Sequence, residues 1–282
     1  METTLYAVRA RGALERHGFR FTHSLGQNFL LDENVVEKIV DCADVQDANI
    51  LEIGPGSGMM TAMMADRGAH VLALELDRAL EPVLTDVIGE RENVKIIFAD
   101  AMKADLSALV AEAFGEGQPF RIVANLPYYI TADFMMKAVT MQPAPESITV
   151  MVQKEAAERM MSCVGEKNWC ALSAVIQYYA QPERLMEAPA GLFTPPPHVD
   201  SCLIRLNMKK ERMVPPEKEA AFITLVQSAF KMRRKTLVNN LTASYGMTKE
   251  RAAYVLERAG FDSRIRGEAL ELEELKRIFD EM

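Results

Sequence analysis

The feature that most constrains the fold is a regular alternation between about residues 48 and 155. Short apolar runs alternate there with segments of helical periodicity. Unbroken Val, Ile and Leu runs predict strands buried on both faces, and helices between them make neighbouring strands parallel. The predicted strands are 49–54, 70–76, 94–100, 121–127 and 147–153, and the predicted helices are 57–67, 77–89, 103–114 and 131–141. We therefore expect a doubly wound α/β domain.

Flanking segments extend this pattern in both directions. An amphipathic helix is predicted over 32–43 and a further strand over 199–206, whereas 172–180 fits a helix or a strand equally well. A charged stretch with two adjacent prolines, 209–219, predicts a linker. Helical spacing returns beyond it, at 222–232, 251–260 and 268–279. The predicted domains are 1–210, with an N-terminal extension over 1–24, and an all-helical domain over 217–282.

Composition limits the partners and the compartment. No apolar run is as long as a membrane-spanning helix, and the N-terminus lacks the apolar stretch of a signal peptide, so we expect a cytoplasmic protein. The four cysteines have no zinc-type spacing, so no metal site is predicted. The net charge of −8 argues mildly against nucleic-acid binding, but the cations are clustered. The clusters are Arg9, Arg11, Arg16 and Arg20, and Lys231, Arg233, Arg234 and Lys235. Each is either a phosphate-contacting surface or a solvated helix face.

A glycine-rich turn follows the first predicted strand, with the pattern Glu52-x-Gly54-x-Gly56-x-Gly58. Glycines let the backbone approach a ligand closely, and the helix behind them offers free N–H groups at its start. The spacing differs from the GxGxxG of dinucleotide-binding folds, and no GK[ST] follows, which argues against ATP hydrolysis.

Two carboxylates follow the next two predicted strands. Glu75 comes 21 positions after Gly54, at a distance where an acid can accept hydrogen bonds from both hydroxyls of a ribose. Asp100 ends the third strand, where a carboxylate can accept from an adenine amino group. Either acid alone is better explained as a helix N-cap or a surface charge. Together with the glycine turn they predict an adenosine-bearing cofactor.

The fourth predicted strand ends in Asn125-Leu126-Pro127-Tyr128. This segment resembles the (Asn/Asp)-Pro-Pro-(Tyr/Phe) motif of methyltransferases that act on adenine N6 or similar planar amines. The Asn carbonyl and a backbone carbonyl near Pro127 can accept both amine hydrogens, which draws electron density onto the nitrogen. Tyr128 can stack on an extracted base. The alternative is a proline turn with an aromatic packed into the core.

These motifs together resemble the ribosomal RNA adenine dimethyltransferases, which include the bacterial small-subunit enzymes and their macrolide-resistance relatives. The likeness runs from 25 to 237. The residues that carry it are GQNFL (26–30), LEIGPGSG (51–58), LELD (74–77), FAD (98–100), ANLPYYIT (124–131), VQKE (152–155), FTPPPHVDS (193–201) and AFKMRRKTL (229–237). The resemblance implies a Rossmann-like class I methyltransferase domain dependent on S-adenosylmethionine, with a small helical C-terminal domain.

The resemblance also implies roles for individual residues. Asn28 and the backbone of Leu30 would close over the cofactor, and Tyr128 and Phe193 would sandwich the target adenine, although Phe193 is also compatible with a core position. The cofactor pocket would be lined by Gly54, Gly56, Glu75, Asp100 and Asn125. Leu25, Trp169-Cys170 and 133–136 depart from the family pattern.

The implied reaction is N6,N6-dimethylation of two adjacent adenines in a loop near the 3′ end of 16S rRNA, in the immature 30S subunit. The enzyme is expected to be a monomer, with the 231–235 cations on RNA phosphates. Three alternatives remain: a macrolide-resistance-type enzyme acting on 23S rRNA, a non-catalytic RNA-binding assembly factor, and a small-molecule or DNA N6-methyltransferase.

Overall fold

The computed structural model describes residues 6–22 and 25–282; residues 1–5 and 23–24 of the predicted N-terminal extension lie outside the described residues. The helices in the described part are α1 (Tyr6–Arg16), α2 (Glu33–Ala43), α3 (Met59–Asp66), α4 (Glu81–Ile88), α5 (Leu106–Phe114), α6 (Thr131–Val139), α7 (Lys154–Met161), α8 (Ala171–Tyr179), α9 (Pro216–Ala229), α10 (Leu237–Tyr245), α11 (Lys249–Arg258) and α12 (Leu272–Asp280). The strands are β1 (Phe29–Leu30), β2 (Asn49–Ile53), β3 (His70–Glu75), β4 (Val94–Phe98), β5 (Arg121–Asn125), β6 (Ser147–Gln153), β7 (Ala180–Ala188), β8 (Phe193–Thr194) and β9 (Ser201–Met208).

Seven strands form one sheet in the order β4-β3-β2-β5-β6-β9-β7. Strands β2 to β6 pair in parallel, and β9 pairs antiparallel with β6. The unbroken apolar runs explain this arrangement, because β2, β3, β5 and β6 are buried along almost their whole length. The predicted Rossmann-like α/β class is confirmed. Strand order reverses between β2 and β5, and an open α/β sheet forms its ligand crevice at such a point.

Several elements were not predicted from the pattern. Segment 172–180 is helical, as α8, with Cys170 and Ser173 closing a capping box at its start. Strand β7 follows it at the edge of the sheet, where its proline and charged residues are tolerated. The two-residue strands β1 and β8 pair with each other, with Leu30 opposite Phe193.

The chain divides into two compact units. The first comprises the described residues up to Ala157 together with Glu183–Met208, and the second comprises Glu158–Pro182 together with Lys209–Met282. The segment Glu158–Pro182 thus belongs to the second unit, whereas the sequence prediction placed it in the first domain. Aromatic contacts within the second unit explain the difference. Trp169 packs edge-on against Phe230, and the hydroxyls of Tyr178 and Tyr179 donate to Glu219.

The first unit also contains the N-terminal helix α1, which packs against α3 and α4. Its arginines make internal contacts. Arg9 donates to the carbonyl of Asp86 at 2.8 Å, Arg16 donates to the Asp86 carboxylate at 2.8 Å, and Arg11 donates to the carbonyl of Leu31 at 3.2 Å. Three of the four arginines that the sequence left open as an RNA surface therefore help to hold α1 in place.

No helix in the described residues is long and apolar enough to cross a membrane. No group of three or more His, Cys, Asp or Glu side chains within residues 6–22 and 25–282 is arranged to hold a metal ion.

Candidate functional site

The carboxyl ends of β2 to β5 open into a cavity of about 1100 Å³, a volume that includes its solvent-filled mouth. The cavity brings together most of the predicted site residues, although they come from five separate stretches of chain. They are Asn28, Leu30, Gly54, Gly56, Glu75, Asp100, Asn125, Pro127 and Tyr128.

The glycine turn forms the floor of the cavity at the end of β2. Gly54 and Gly56 have φ of +70° and +55°, a region that residues with a Cβ rarely adopt. The N–H of Gly54 donates to the carbonyl of Leu74 at 2.9 Å, which joins the turn to β3. A Cβ on Gly56 would lie 3.1 Å from the ring of Phe29. Glycine is therefore required both by the backbone conformation and by the close approach of β1.

Glu75 lies at the end of β3 and is almost fully buried. Its Oε2 accepts from the N–H of Gly56 at 3.2 Å, and its Oε1 accepts from the N–H of Asp77 at 2.9 Å. Burial raises the pKa of Glu75, and the backbone donors oppose that rise. A carboxylate has about four acceptor positions, so both oxygens can still accept from ligand hydroxyls.

Asp100 follows β4 and caps a tight turn. Its Oδ1 accepts from the N–H of Met102 at 2.9 Å, and its Oδ2 lies 3.2 Å from the ammonium of Lys103. The Met102 hydrogen bond and the nearby lysine lower the pKa of Asp100. The carboxylate is therefore ionised at neutral pH, and Asp100 lines the cavity.

Lys137 on α6 fixes the same turn from the opposite side. Its Nζ donates to the carbonyls of Ala101, Met102 and Ala104, at 2.9, 3.0 and 2.7 Å. The sequence did not single out Lys137, because a lone lysine in an amphipathic helix carries no local signal of a contact more than 30 residues away.

The segment 25–30 forms one wall of the cavity. Gln27 accepts from the N–H of Thr22 and donates to the carboxylate of Asp77, each at 2.7 Å. Asn28 donates to the carbonyl of Gly26 at 3.1 Å. These bonds hold the wall beside Glu75. The sequence pointed to Asn28 and Leu30 but not to the bridging role of Gln27.

Asn125 ends β5 with its amide oriented by this wall. Its Nδ2 donates to the backbone carbonyl of Asn28 at 3.1 Å, which leaves the amide oxygen as an acceptor. The carbonyl of Pro127 accepts from Ile130 N–H and from the Thr131 hydroxyl, both at 3.2 Å. In the part of the chain that is described, no donor meets the carbonyl of Leu126. Leu126 lines the cavity and therefore has the unpaired backbone carbonyl next to the proline.

The two predicted base-stacking residues have different positions. Tyr128 lines the cavity, and its hydroxyl lies 2.9 Å from the hydroxyl of the fully buried Ser201. Burial raises the pKa of Tyr128. Phe193 is only 3% exposed, lies in the apolar core on β8 and does not line the cavity. The structure therefore does not bring the two rings to one cavity, and the stacking role of Phe193 stays a prediction.

Glu52 lies on β2 beneath the glycine turn and is completely buried. Its Oε2 accepts from the hydroxyl of Thr61 at 2.6 Å, and its Oε1 has no hydrogen-bond partner among the described residues. Burial raises the pKa of Glu52 to about 8, so the group is largely protonated at neutral pH.

The second basic cluster lies within the second unit, in the turn between α9 and α10. Lys231, Arg233, Arg234 and Lys235 are all exposed. Asn240 holds this turn, because its buried amide accepts from the N–H of Met232 at 2.9 Å and donates to the carbonyl of Ala229 at 3.0 Å. Arg233 donates to the carbonyl of Lys167 at 3.0 Å, so part of its donor capacity is used internally.

Solved structures share this fold. A dimethyladenosine transferase from Plasmodium falciparum superimposes with a TM-score of 0.72 at 22% identity, covering 89% of this chain and 95% of that one. The 23S rRNA methyltransferase ErmE superimposes with a TM-score of 0.66 at 25% identity, covering 90% of this chain and 99% of that one.

Sequence relatives are closer. The ribosomal RNA small subunit methyltransferase A of Alkaliphilus metalliredigens is 40% identical, over 100% of this chain and 99% of the relative. Its counterpart in Geobacillus thermodenitrificans is 42% identical, over 94% and 92%. The family model described as ribosomal RNA adenine dimethylase matches residues 18–281. The chain therefore belongs to the ribosomal RNA adenine dimethylase family.

Proposed function

We propose that this protein uses S-adenosylmethionine to dimethylate N6 of two adjacent adenines, in a loop near the 3′ end of 16S rRNA. The observation that carries the proposal is the orientation of Asn125, whose amide nitrogen is bound to Asn28 and whose oxygen is left as an acceptor. The names of the relatives, which are small-subunit methyltransferases, support the choice of substrate.

The cofactor side of the cavity fits an adenosine-bearing ligand. Gly54 and Gly56 permit close approach of the ligand to the backbone. Glu75 accepts the two ribose hydroxyls, and Asp100 accepts from the adenine amino group. Asn28 and Leu30 cover the cofactor from the facing wall, which they share with Asn125. When bound, S-adenosylmethionine supplies a sulfonium-bound methyl group, and breaking the S–CH3 bond releases the neutral thioether S-adenosylhomocysteine, which is a good leaving group.

The base side orients the nucleophile. The N6 lone pair of adenine is conjugated into the ring and is a poor nucleophile. In the first transfer the Asn125 amide oxygen and a backbone carbonyl beside Pro127, which we assign to Leu126, accept the two N6 hydrogens. In the second transfer the nitrogen carries one hydrogen, which one of these two acceptors binds. These bonds draw electron density onto nitrogen and favour a tetrahedral geometry. The methylated nitrogen then releases its proton to water, so no strong general base is needed.

Tyr128 stacks on the extracted adenine, and its bond to Ser201 fixes the ring while the base enters. For Phe193 to form the opposite face of the sandwich, it would have to leave the core position that it occupies in β8. The replacement Phe193→Ala distinguishes the two roles. A core role lowers the melting temperature, whereas a stacking role lowers the turnover rate of a protein whose melting temperature is unchanged.

RNA contact is assigned to the turn between α9 and α10. Lys231, Arg234 and Lys235 are exposed there and can neutralise phosphates, with a smaller share from Arg233. We propose that the partner is the immature 30S subunit and that the protein acts on it as a cytoplasmic monomer. Replacing residues 233–235 by Gln weakens RNA binding and leaves cofactor affinity intact. Unchanged RNA affinity in that variant would refute the assignment.

A second candidate, methylation of 23S rRNA, is favoured by the likeness to ErmE. Transfer of labelled methyl groups to purified, undermethylated 30S and 50S subunits separates the two, with nucleoside analysis of each RNA. N6,N6-dimethyladenosine in the 30S RNA supports the proposal. Label in the 50S RNA alone would assign the protein to the second candidate, and label in neither would indicate a non-catalytic assembly factor.

A further inference from the structure

Tyr129 lies at the mouth of the cavity with 56% of its surface exposed. No other aromatic side chain in the described residues is as exposed. Aromatic rings bury a large apolar area when they pack, so such exposure leaves an unusual apolar face in water. The exposed ring is adjacent in sequence to Tyr128, and the two residues line the same cavity.

The position of the ring is fixed by the backbone around it. Residues Tyr128–Ile130 form one turn of 3₁₀ helix, closed by the bond from Ile130 N–H to the carbonyl of Pro127, and α6 follows directly. The ring also packs against Gly26, whose φ is +60°. A Cβ at Gly26 would lie 3.2 Å from the Tyr129 ring. The Cδ1–Cε1 edge of the ring therefore lies beside Gly26 of the 25–30 wall, and 56% of the residue is exposed.

Tyr129 and Tyr128 differ in the hydrogen bonding of their hydroxyls. The Tyr128 hydroxyl bonds Ser201 inside the protein. In the described part of the chain the Tyr129 hydroxyl has no such bond, so the side chain is held by its ring alone. An exposed aromatic ring beside a base pocket is an arrangement that proteins use to stack an unpaired nucleotide.

We propose that Tyr129 is a substrate-positioning residue on which the base next to the target adenine stacks. The inference rests on the proposed function. Extracting one adenine from its stack exposes the face of its neighbour, and this loss of stacking opposes entry into the cavity. Stacking of the neighbour on Tyr129 restores the contact. With two adjacent target adenines, one lies on Tyr129 while the other is in the cavity.

The test compares Tyr129→Ala with Tyr129→Phe, on undermethylated 30S subunits. Tyr254→Ala is the matched control, because Tyr254 is 52% exposed on α11 and does not line the cavity. Base stacking on an aromatic ring corresponds to about a five- to 150-fold change in affinity, so Tyr129→Ala raises KM for the subunits by that order. Tyr129→Phe and Tyr254→Ala stay within about twofold of wild type, and cofactor affinity is unchanged in all three.

A second substrate separates stacking from a structural role. The second substrate is a 30S subunit reconstituted with 16S rRNA that keeps one target adenine and lacks the bases on both sides of it. On this substrate, wild type and Tyr129→Ala are expected to have equal KM. Equal KM on intact subunits would overturn the inference, and so would a difference that persists on the abasic RNA. Failure of the proposed function is distinguishable, because wild type would then form no dimethyladenosine in intact 30S subunits.

Discussion

The two sides of the cavity are held together in different ways. On the cofactor side, Glu75 accepts from an N–H two residues away, and so does Asp100. On the base side, Asn125 bonds Asn28, 97 residues away, and Tyr128 bonds Ser201, 73 residues away. The two acids of the cofactor side are therefore positioned partly by local turns, with added long-range bonds from Gly56 and Lys137, whereas the bonds of Asn125 and Tyr128 on the base side join only distant segments.

Substitutions on the two sides are therefore expected to change different measured quantities. In the proposed function the acceptors on the cofactor side bind the cofactor directly, so a substitution there is expected to change the cofactor affinity. A substitution on the base side changes how the amine is oriented, and its effect falls on the rate of transfer. Four substitutions follow in order of decreasing expected effect. The first three test whether the two sides act separately, and the fourth tests the buried carboxyl beneath them.

Asn125→Ala removes the side-chain acceptor for the N6 hydrogens. Loss of one hydrogen-bonding group that acts in the transition state lowers the turnover rate by about 100- to 1000-fold. The measurement is single-turnover methyl transfer to 30S subunits at saturating cofactor. Asn49→Ala is the control, since the Asn49 amide bonds the carbonyl of Pro119 at the start of β2, away from the cavity. A rate within tenfold of wild type for Asn125→Ala would contradict the proposed orientation.

Glu75→Gln replaces one acceptor oxygen with a donor that faces the N–H groups of Gly56 or Asp77. Hydrogen bonds to a charged group correspond to about a 10- to 150-fold change in affinity, and the cofactor Kd rises by that order. Calorimetric titration with S-adenosylhomocysteine measures it. Glu81→Gln, at the exposed start of α4, serves as the control. If Glu75→Gln lowers turnover and leaves this Kd unchanged, the cofactor side and the base side do not have separate roles in binding and transfer.

Lys137→Met removes three donors from the turn that carries Asp100 while keeping most of the apolar stem. Loosening that turn raises the cofactor KM by about three- to tenfold, with little change in turnover at saturating cofactor. Lys103→Met is the matched control. It also removes a positive charge beside Asp100, but the Lys103 side chain is 86% exposed. An equal effect from both variants would mean that charge, rather than the position of the turn, determines cofactor affinity.

Glu52→Gln changes the pH dependence of stability. Its folded pKa of about 8 lies above the ordinary glutamate pKa of 4.5, so the folded state retains a proton that the unfolded chain releases. The free energy of unfolding therefore falls as pH rises from about 4.5 to 8. Gln cannot ionise, so the variant loses less stability than wild type over this range. Denaturant melts between pH 5 and 8.5 measure the difference, and parallel profiles would refute the assigned pKa.

The same distinction explains how much the sequence could predict. The apolar runs, the glycine turn and the acids at the strand ends are local patterns, and they correctly predicted the α/β class and the position of β2 to β6. The bonds of Lys137, Gln27 and Ser201 cross more than 30 residues of chain in most cases. No local pattern encodes such a contact, because its partner depends on the packing of the folded sheet and helices.

The two basic clusters illustrate the same limit. Both clusters are groups of neighbouring cations in the sequence. In the structure, Arg9 and Arg16 are bound to Asp86. Arg234 and Lys235 are instead exposed in a turn held by Asn240. Charge density alone does not distinguish a cluster that holds a helix from one that can contact RNA. The position of Asp86 on the neighbouring helix α4 decides it.

The most direct test of the account measures cofactor affinity and methyl transfer on the same preparation of Asn125→Ala. Asn125 lines the cavity shared by both sides, so some loss of S-adenosylhomocysteine affinity is expected. We predict that the loss in transfer rate to 30S subunits exceeds the loss in affinity by about tenfold or more. Equal losses in rate and affinity would show that Asn125 acts only by holding the cofactor, and would contradict the separate base-orienting side.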